Sequence, residues 1–501
     1  MKRQLLVNVT PPETRVALTE DGRVVEVFHE RRRRQGFVGN IYKGRVHRVL
    51  PGMQAAFVSI GLDRDAFLYV EDAVPRPTED AADDLGDDTL GRGRSGRAGR
   101  PRIDDVLKEG QEVVVQVTKD PREGKGPRVT TNLSLPGRTL VYLPGLQEQE
   151  AGVSRRIIGD AERERLRQIL EGFGGEGGFI ARTAADGAAT SDFEADRWYL
   201  TELAARIARK AENAAAPALL HRELDLALRI VRDVAADDLE AIRVDDEATA
   251  GRIEEFLRAV APGLAARVEV YGKSEPIFEA YGVESAIFDA LRNRVALPSG
   301  GSIVIHQTEA LVAIDVNTGR FVGKDALEET VFATNLEAVP EVARQIRLRD
   351  LGGLLVVDFI DMEEPEHRRE VFERFETELA RDRSRTRVLQ ISDFGLVEIT
   401  RQRSRGNLER VLTRSCPECG GGGRLPTDLT AGLDLRRELL KGGAATSPGE
   451  AVRVRVHPTL ARLLTEEDPD LLSDVETSLA IRIEIAPDDR LPAAGWEIQS
   501  D

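Results

Sequence analysis

The sequence predicts a mixed α/β protein built from several domains, and three observations carry that prediction. A chain of 501 residues is too long for one hydrophobic core and implies three or more domains. Short strands separated by Gly and Asp turns fill residues 39–119, as in a small OB-type barrel. Farther along, two strand-like runs flank a helix of crossover length, which predicts that the two strands are parallel.

The first 30 residues predict strands around the turn Asp21-Gly22. In the barrel that follows, Phe57 and Phe67 are candidates for stacking bases, and Lys119 is a candidate for contacting phosphate. Ordinary barrel core is the alternative interpretation of the two phenylalanines. Residues 76–102 interrupt the barrel with an acidic and then basic Gly-rich loop, which we expect to be mobile because it has few apolar residues.

A small α/β segment follows the barrel. An amphipathic helix is predicted from Ser154 to Glu171, then a strand that ends at Arg182 and Thr183, then a long helix from about Ser191 to Glu212. An Arg fork beside a hydroxyl and unpaired backbone amides suits a terminal phosphate. A linker is expected at about residues 214–219, before further helices and strands up to about residue 282.

Two acidic residues lie inside runs that predict buried strands, Asp315 in residues 310–317 and Asp358 in residues 354–361. A buried carboxylate costs several kcal/mol unless something compensates it, so the pair indicates a cation site. The crossover helix between the strands predicts that they are parallel and that both aspartates lie near their carboxyl ends, where ligands collect. The alternative is that both aspartates only cap loops.

Two neighbouring residues bear on this cation site. Asn317 lies two residues after Asp315 and therefore on the same strand face, where its amide could orient the carboxylate. Asp361 lies on the opposite face from Asp358, and the alternative for it is that it only begins a turn. Carboxylate and amide oxygens favour Mg²⁺ as the ion.

The charge distribution is uneven. The formal net charge is −17, which by itself argues against a nucleic-acid partner, yet arginines cluster locally and could neutralise phosphates. Each cluster could equally be a solvated face. Histidines are scattered without metal-ligand spacing, which argues against a His base or a His-bound metal. The arginine clusters are Arg31 to Arg34; Arg92, Arg94, Arg97, Arg100 and Arg102; Arg344, Arg347 and Arg349; and Arg401, Arg403 and Arg405.

The only two cysteines, Cys416 and Cys419, form a Cys-Pro-Glu-Cys turn followed by four glycines. This spacing is half of a zinc knuckle, whereas structural zinc requires four ligands. Either a second copy of the chain supplies the other pair, or the two cysteines form a redox dithiol. The shared zinc is favoured because the βαβ context of a thioredoxin-like site is missing.

Several long motifs occur together in order: Leu-Val-Asn-Val-Thr-Pro-Pro-Glu-Thr-Arg-Val-Ala, Gly-Asn-Ile-Tyr-Lys-Gly-Arg-Val, Leu-Pro-Gly-Met-Gln-Ala-Ala-Phe-Val, Arg-Gln-Ile-Arg-Leu-Arg-Asp-Leu-Gly-Gly, Asp-Phe-Ile-Asp-Met and Cys-Pro-Glu-Cys. Over almost its whole length the chain thereby resembles the bacterial ribonuclease E/G family. The short length and the stretch Asp-Val-Asn-Thr-Gly-Arg-Phe-Val-Gly are more similar to the ribonuclease G branch. The resemblance implies an endoribonuclease of single-stranded RNA that prefers a 5′-monophosphate end and acts in rRNA maturation and RNA decay.

The resemblance also implies roles for individual residues. Asp315 and Asp358 match Mg²⁺ ligands, and Asn317 matches the amide that supports them. Arg182 and Thr183 match a 5′-phosphate sensor, while Phe57, Phe67 and Lys119 match the RNA-binding barrel, which favours binding over the core interpretation. Cys416 and Cys419 match a zinc link between two copies of the chain. The long Arg-rich loop 76–102 departs from the pattern, so RNA contacts near the barrel are expected to differ from those of relatives.

The implied domain plan is as follows: residues 1–36 and 214–282 form a ribonuclease-H-like fold without its catalytic acids, 37–133 the OB barrel, 134–213 the sensor, 283–412 a deoxyribonuclease-I-like catalytic core, 413–424 the zinc link and 425–501 a small C-terminal dimerisation domain. The expected reaction is Mg²⁺-dependent hydrolysis that leaves a 5′-phosphate and a 3′-hydroxyl. The absence of an apolar leader or spanning run predicts a cytoplasmic protein. A non-catalytic RNA-binding assembly factor and a small-molecule metal phosphatase are the alternatives.

Overall fold

A computed structural model describes residues 2–31, 36–75, 101–121, 124–146, 150–157, 159–236, 238–319, 327–389, 392, 395–402, 407–419, 421–442, 449 and 451–499. The chain forms two compact units, Met1–Val411 and Leu412–Asp501. The prediction of a mixed α/β, multidomain architecture is confirmed. Nearly all of loop 76–102 lies outside the described residues, as do three arginines of the run that begins at Arg31 and part of the motif that follows Asn317.

The strands of the described residues are β1 (Arg3–Val9), β2 (Glu13–Glu20), β3 (Arg23–Arg31), β4 (Ile41–Leu50), β5 (Ala55–Ser59), β6 (Ala66–Tyr69), β7 (Glu112–Lys119), β8 (Arg128–Thr130), β9 (Leu135–Pro136), β10 (Leu140–Leu143), β11 (Glu150–Val153), β12 (Gly178–Ala181), β13 (Ala218–His221), β14 (Leu239–Val244), β15 (Val268–Val270), β16 (Arg294–Ala296), β17 (Ser302–Gln307), β18 (Leu311–Asn317), β19 (Gly353–Asp358), β20 (Thr386–Val388), β21 (Leu396–Arg401), β22 (Ala451–Val456), β23 (Arg482–Pro487) and β24 (Trp496–Gln499).

The α-helices are α1 (Val70–Ala73), α2 (Ile103–Val106), α3 (Asp160–Glu171), α4 (Thr190–Asn213), α5 (Leu226–Val234), α6 (Glu247–Val260), α7 (Pro262–Ala265), α8 (Ile277–Ala280), α9 (Val283–Ala290), α10 (Leu327–Leu348), α11 (Pro365–Leu379), α12 (Leu408–Leu412), α13 (Asp428–Gly442), α14 (Pro458–Arg462) and α15 (Ser473–Leu479). Within the described residues, no helix is long and apolar enough to cross a membrane.

The first sheet joins two distant parts of the chain in the order β15-β14-β1-β2-β3. The β2–β3 turn confirms the sequence prediction, because Asp21 and Gly22 have φ values of 46° and 79°, a left-handed pair suited to a tight hairpin. Buried residues of α5 and α6 share a core with the strands. This sheet therefore unites residues near the amino terminus with residues 226–270.

The second sheet is the predicted barrel, in the order β4-β5-β6-β8-β7, closed by a pairing of β4 with β7. Its core is formed by inward residues such as Ala56, Val58, Ala66 and Leu68. The expectation of a linker at residues 214–219 is partly wrong, because β13 begins at Ala218 and pairs with β4, which adds a strand to the sheet.

The third sheet, β11-β12-β10-β9, packs with α3 and α4. The predicted start of the first helix at Ser154 is wrong, because the helix begins at Asp160. Ser154 continues the strand pairing instead, since its amide donates to the carbonyl of Ala181 at 2.9 Å.

The fourth sheet has the order β16-β17-β18-β19-β21-β20 and contains both predicted aspartates. Strands β18 and β19 are parallel and α10 connects them, as predicted. Residues Val312, Ile314 and Val316 of β18 are buried in a core shared with α10 and α11, whereas Ala313 and Asp315 are exposed. The helices therefore cover one face of the sheet and leave the other face open, so the expectation of buried strands holds only for the face that packs against the helices.

The arginines of α10 and β21 do not form a solvent-facing basic channel. Arg347 binds Glu20 and Glu26 at 2.8 and 3.1 Å, and Arg401 binds Asp350 at 2.8 Å. Both arginines are buried. They therefore join segments distant in sequence, and the phosphate-neutralising interpretation is wrong for them.

Unit Leu412–Asp501 contains a sheet in the order β23-β22-β24 with a parallel β22–β23 pair. Its core includes Leu435 of α13, Leu460 of α14 and Val475 of α15. Helix α13 begins at Asp428 and strand β22 begins at Ala451. Most of the residues between them, 443–448 and 450, lie outside the described part of the chain.

Candidate active site and adjoining surfaces

A carboxylate pair lies at the carboxyl ends of two adjacent parallel strands. Asp315 of β18 is directly opposite Asp358 of β19. Cross-strand partners in register project from the same face of a sheet, and both aspartates are exposed on the open face. The structure thus brings together Asp315 and Asp358, which are 43 positions apart in the sequence.

The local potential at this pair is negative. Partial burial, together with the neighbouring carboxylates of Asp315 and Asp361, raises the pKa of Asp358 above its ordinary value. Asp361 follows the end of β19, is exposed, and is close enough to act on Asp358 electrostatically. A bound cation would relieve this repulsion.

Asn317 lies on the same strand face as Asp315 and is hydrogen-bonded to it. Its side-chain amide donates to Oδ2 of Asp315 at 2.6 Å. Gly301 packs closely against the backbone of Asn317, because a Cβ added to Gly301 would lie 2.8 Å from the carbonyl oxygen of Asn317. A Cβ at Gly319 would lie 2.4 Å from the carbonyl oxygen of Gly300, so glycine is required at both positions.

Helix α10 holds the segment that follows Asp358. Asn335 is fully buried, accepts a hydrogen bond from the Ile360 amide at 3.1 Å and donates to the Ile360 carbonyl at 2.8 Å. Glu328 accepts from the amides of Glu363 and Glu364 at 3.0 and 3.3 Å. Sequence reasoning missed both residues, although an Asn within the apolar stripe of a helix was a usable signal.

The donor set is compatible with a hard cation. Among the described residues, no group of three or more His, Cys, Asp or Glu side chains is arranged to hold a metal ion. Mg²⁺ is commonly bound through one or two carboxylates while it keeps several waters, so the pair meets this smaller requirement. Partial burial and the carboxylates of Asp315 and Asp361 both disfavour the charged form of Asp358 and raise its pKa, and a bound cation would offset both effects.

Arg182 lies immediately after β12, as predicted, but its side chain is engaged. One guanidinium nitrogen donates to Asp233 of α5 at 2.9 Å, and another donates to the Gly137 carbonyl. Burial disfavours ionisation of Asp233, but Arg182 and Arg232 outweigh this effect and hold its pKa well below the ordinary value. Asp233 therefore fixes the orientation of the Arg182 fork.

Thr183 is exposed at the start of a short helical turn, Thr183–Ala185. Its hydroxyl lies 3.4 Å from that of Ser154, which ends the neighbouring strand segment. The structure therefore places Arg182, Thr183 and Ser154 in one cluster at the ends of β11 and β12. Ser154 was not among the predicted residues.

The three predicted barrel residues share one face. Phe57 is opposite Phe67, Phe67 is opposite Arg128, and Arg128 is opposite Lys119. Neither phenylalanine belongs to the buried core of the barrel, so the core interpretation is wrong. Arg48 continues this row on the other side, opposite Phe57. Arg128 was missed because β8 is too short to show an alternating pattern.

The two cysteines lie in a turn of the second unit, with Cys416 exposed and Cys419 half-buried. The Gly423 amide donates to Sγ of Cys419 at 3.3 Å. The amides of Gly423 and Gly421 lower the pKa of the Cys419 thiol. This favours the thiolate, the form that binds metals.

Residues 134–404 of this chain match the sequence model of a known family, described as "Ribonuclease E/G family". The matched range contains both aspartates, Asn317 and the Arg182–Thr183 pair. The barrel residues Phe57, Phe67 and Lys119 and the cysteine pair lie outside this range.

Three curated relatives extend the similarity across the chain. Ribonuclease G of Salmonella typhimurium (strain SL1344) and ribonuclease G of Escherichia coli (strain K12) are each 41% identical over 490 residues, which cover 97% of this chain and 98% of the relative. Ribonuclease E of Escherichia coli (strain K12) is 36% identical over 508 residues, which cover 99% of this chain and 46% of that longer relative.

Proposed function

Because this chain belongs to the ribonuclease E/G family and is an endoribonuclease, we propose that it cuts single-stranded RNA by Mg²⁺-dependent hydrolysis. The products carry a 5′-phosphate and a 3′-hydroxyl. The observation that supports this proposal best is the in-register pair Asp315 and Asp358 on an open sheet face. An open face admits a polymer, whereas an enclosed pocket would favour a small molecule.

The side chains of the site have different roles. Asp315 and Asp358 provide the carboxylates that hold the cation, and Asn317 fixes the rotamer of Asp315 through its hydrogen bond. Asn335 fixes the backbone after Asp358. Mg²⁺, when bound, neutralises charge on the transferring phosphoryl group and lowers the pKa of a water. In-line attack by water on phosphorus breaks the bond to the 3′ oxygen, which takes up a proton to become the 3′-hydroxyl, so the phosphate stays on the 5′ end of the downstream product.

A preference for 5′-monophosphorylated RNA belongs to the same proposal. Arg182 is held by Asp233 and directly precedes Thr183, whose side chain is exposed. A guanidinium beside a hydroxyl suits a terminal phosphate, which carries more negative charge than an internal one. Roles in rRNA 5′-end maturation and RNA decay, in the cytoplasm, follow from the family resemblance.

Dimerisation through zinc is the remaining part of the proposal. Cys416 and Cys419 supply two thiolates, and the same pair of a second copy would complete the four ligands of a structural site. The finer likenesses, a ribonuclease-H-like first sheet, a deoxyribonuclease-I-like catalytic core and a small C-terminal dimerisation domain, are proposed with it.

The test uses a 5′-monophosphorylated single-stranded oligonucleotide with Mg²⁺ or with EDTA. We expect cleavage only with Mg²⁺, and a loss of about 100-fold or more in Asp315→Asn and Asp358→Asn, since each removes a charged ligand. Glu309→Gln is the matched control, because Glu309 is an exposed carboxylate in the turn before the same strand. Cleavage at the normal rate by both Asp variants would exclude this site.

A second arm compares oligonucleotides that differ only in a 5′-phosphate or 5′-hydroxyl. Arg182→Gln should reduce the rate ratio between the two substrates without reducing the rate on the 5′-hydroxyl form. Equal ratios for the wild type and the variant would exclude Arg182 from end recognition while leaving the catalytic proposal intact.

A further inference from the structure

A continuous row of basic and aromatic side chains crosses the outer face of the barrel. From strand to strand, the directly opposed residues are Arg48, Phe57, Phe67, Arg128 and Lys119. The rings of Phe57 and Phe67 pack edge to face, with centroids 5.4 Å apart. Only Phe57, Phe67 and Lys119 in this row are accounted for by the family resemblance.

Tyr69 adds a third ring beside the row. It lies two residues after Phe67 on β6 and therefore on the same face, with ring centroids 4.5 Å apart. Tyr69 is 39% exposed, whereas the inward neighbours Ala66 and Leu68 are fully buried. An exposed aromatic ring next to two half-buried ones extends an apolar platform outward, and it contributes nothing to the barrel core.

Arg128 connects Tyr69 to the row. Its guanidinium carbon lies 4.7 Å from the centroid of the Tyr69 ring. Two of its nitrogens bind Oδ2 of Asp72 at 2.9 and 2.7 Å, and Asp72 is buried. Asp72 therefore fixes the plane of the guanidinium and compensates much of its charge.

This geometry separates two ways in which an arginine can bind RNA. An arginine whose charge is compensated by a buried carboxylate gains little from phosphate, but its flat guanidinium can still stack on a base. Lys119 has no such plane and can act only through its charge. The fixed plane of Arg128 beside the Tyr69 ring thus favours base stacking over phosphate binding.

We propose that Tyr69 and Arg128 form an additional base-stacking position for single-stranded RNA, next to Phe57 and Phe67. This inference rests on the proposed RNA-binding role of the barrel and deepens it by adding a third base. Stacking tolerates any base, because every base has a π face.

The experiment measures binding of labelled single-stranded oligonucleotides by fluorescence anisotropy in EDTA, so that no cleavage occurs. Tyr69→Leu and Arg128→Lys should each weaken binding about 5- to 150-fold, the range for one stacked base. Arg128→Lys keeps the charge and loses the plane. An oligonucleotide series with one abasic position moved along the strand should show one sensitive position fewer in Tyr69→Leu than in the wild type.

Salt dependence separates stacking from charge. Lys119→Ala should reduce the slope of log affinity against log salt by about one, whereas Tyr69→Leu should leave the slope unchanged. Phe288→Leu is the matched control, because Phe288 is an exposed ring on α9 with Arg292 at 4.6 Å and lies outside the barrel. A thermal unfolding midpoint equal to that of the wild type would show that each variant is folded.

The outcomes distinguish the inference from the function on which it rests. If Phe57→Ala and Phe67→Ala weaken binding while Tyr69→Leu and Arg128→Lys bind like the wild type, the third position does not exist and the barrel still binds RNA. If all four variants bind like the wild type, RNA binding by the barrel fails as well. If Arg128→Lys alone binds normally, the guanidinium plane is not used and the inference is overturned.

Discussion

Replacing Asn335 by leucine should loosen the segment that follows Asp358. Leucine has the same branched arrangement of side-chain heavy atoms as asparagine, although it is bulkier, but it cannot pair with Ile360, whose backbone loses hydrogen bonds of 2.8 and 3.1 Å. An unpaired buried polar group costs about 1–3 kcal/mol, so two lost bonds give about 2–6 kcal/mol. Ile360 is only half-buried and water can replace part of the loss. We therefore expect the lower part of that range, about 2–4 kcal/mol.

Hydrogen exchange resolved to the peptide that contains Ile360 is the appropriate assay, because a local loss need not appear in the global unfolding of a multidomain chain. A loss of 2–4 kcal/mol corresponds to exchange that is about 30- to 1,000-fold faster. The Mg²⁺ concentration for half-maximal cleavage should rise in parallel, since Asp358 is no longer held in place. Glu329→Gln, on the exposed side of the same helix, is the control. Unchanged exchange and unchanged Mg²⁺ dependence in Asn335→Leu would refute the reasoning.

Three further predictions follow from the ion pairs and the cysteine turn. Burial opposes ionisation of Glu26, but the charges of Arg383 and Arg347 outweigh burial and lower the pKa of Glu26 to about 2. The ionised Glu26 side chain therefore contributes its full stabilisation above the unfolded-state pKa of about 4.5, and this contribution is lost as the pH falls towards 2. Glu26→Gln should thus be less stable than the wild type at pH 7 and equal to it at pH 2, as measured by urea unfolding; a difference that does not change with pH would contradict this. Asp233→Asn should lower the rate ratio between 5′-phosphate and 5′-hydroxyl substrates several-fold, because Arg182 loses its orienting carboxylate, and an unchanged ratio would show that Asp233 has no such role. Cys416→Ser should convert the proposed dimer to a monomer in native mass measurement with zinc present, and an unchanged oligomer would rule out the shared zinc site.

The position of the aspartate pair could be predicted from sequence, but its burial could not. The two apolar runs and the crossover helix between them fixed the parallel pairing and the strand ends. The run Leu-Leu-Val-Val before Asp358 gives no sign that one face is open, yet Leu354 is 40% exposed. An apolar run is compatible with one covered face or with two, because periodicity does not report what packs against a strand.

The residues that sequence reasoning missed or assigned wrongly share a physical cause. Arg347 pairs with Glu26 across 321 positions, and a charge pattern along the chain does not reveal a partner so distant. Arg128 lies on a strand of three residues, too short for an alternating pattern. Asp233 acquires its role only when α5 packs beside the strand that ends at Arg182. Each depends on tertiary pairing rather than on local pattern.

The ion pairs bear on how this acidic chain holds a polyanion. With a formal net charge of −17, long-range attraction of RNA is weak, and the described arginines of α10 and β21 are already paired with carboxylates. Binding that relied on phosphate neutralisation would therefore be poor and steeply dependent on salt. The aromatic rings in the row of basic and aromatic side chains on the barrel supply contacts that do not require net positive charge, because base stacking tolerates any base and is not screened by salt. Affinity at this surface should accordingly depend more on rings and guanidinium planes than on the number of exposed cations.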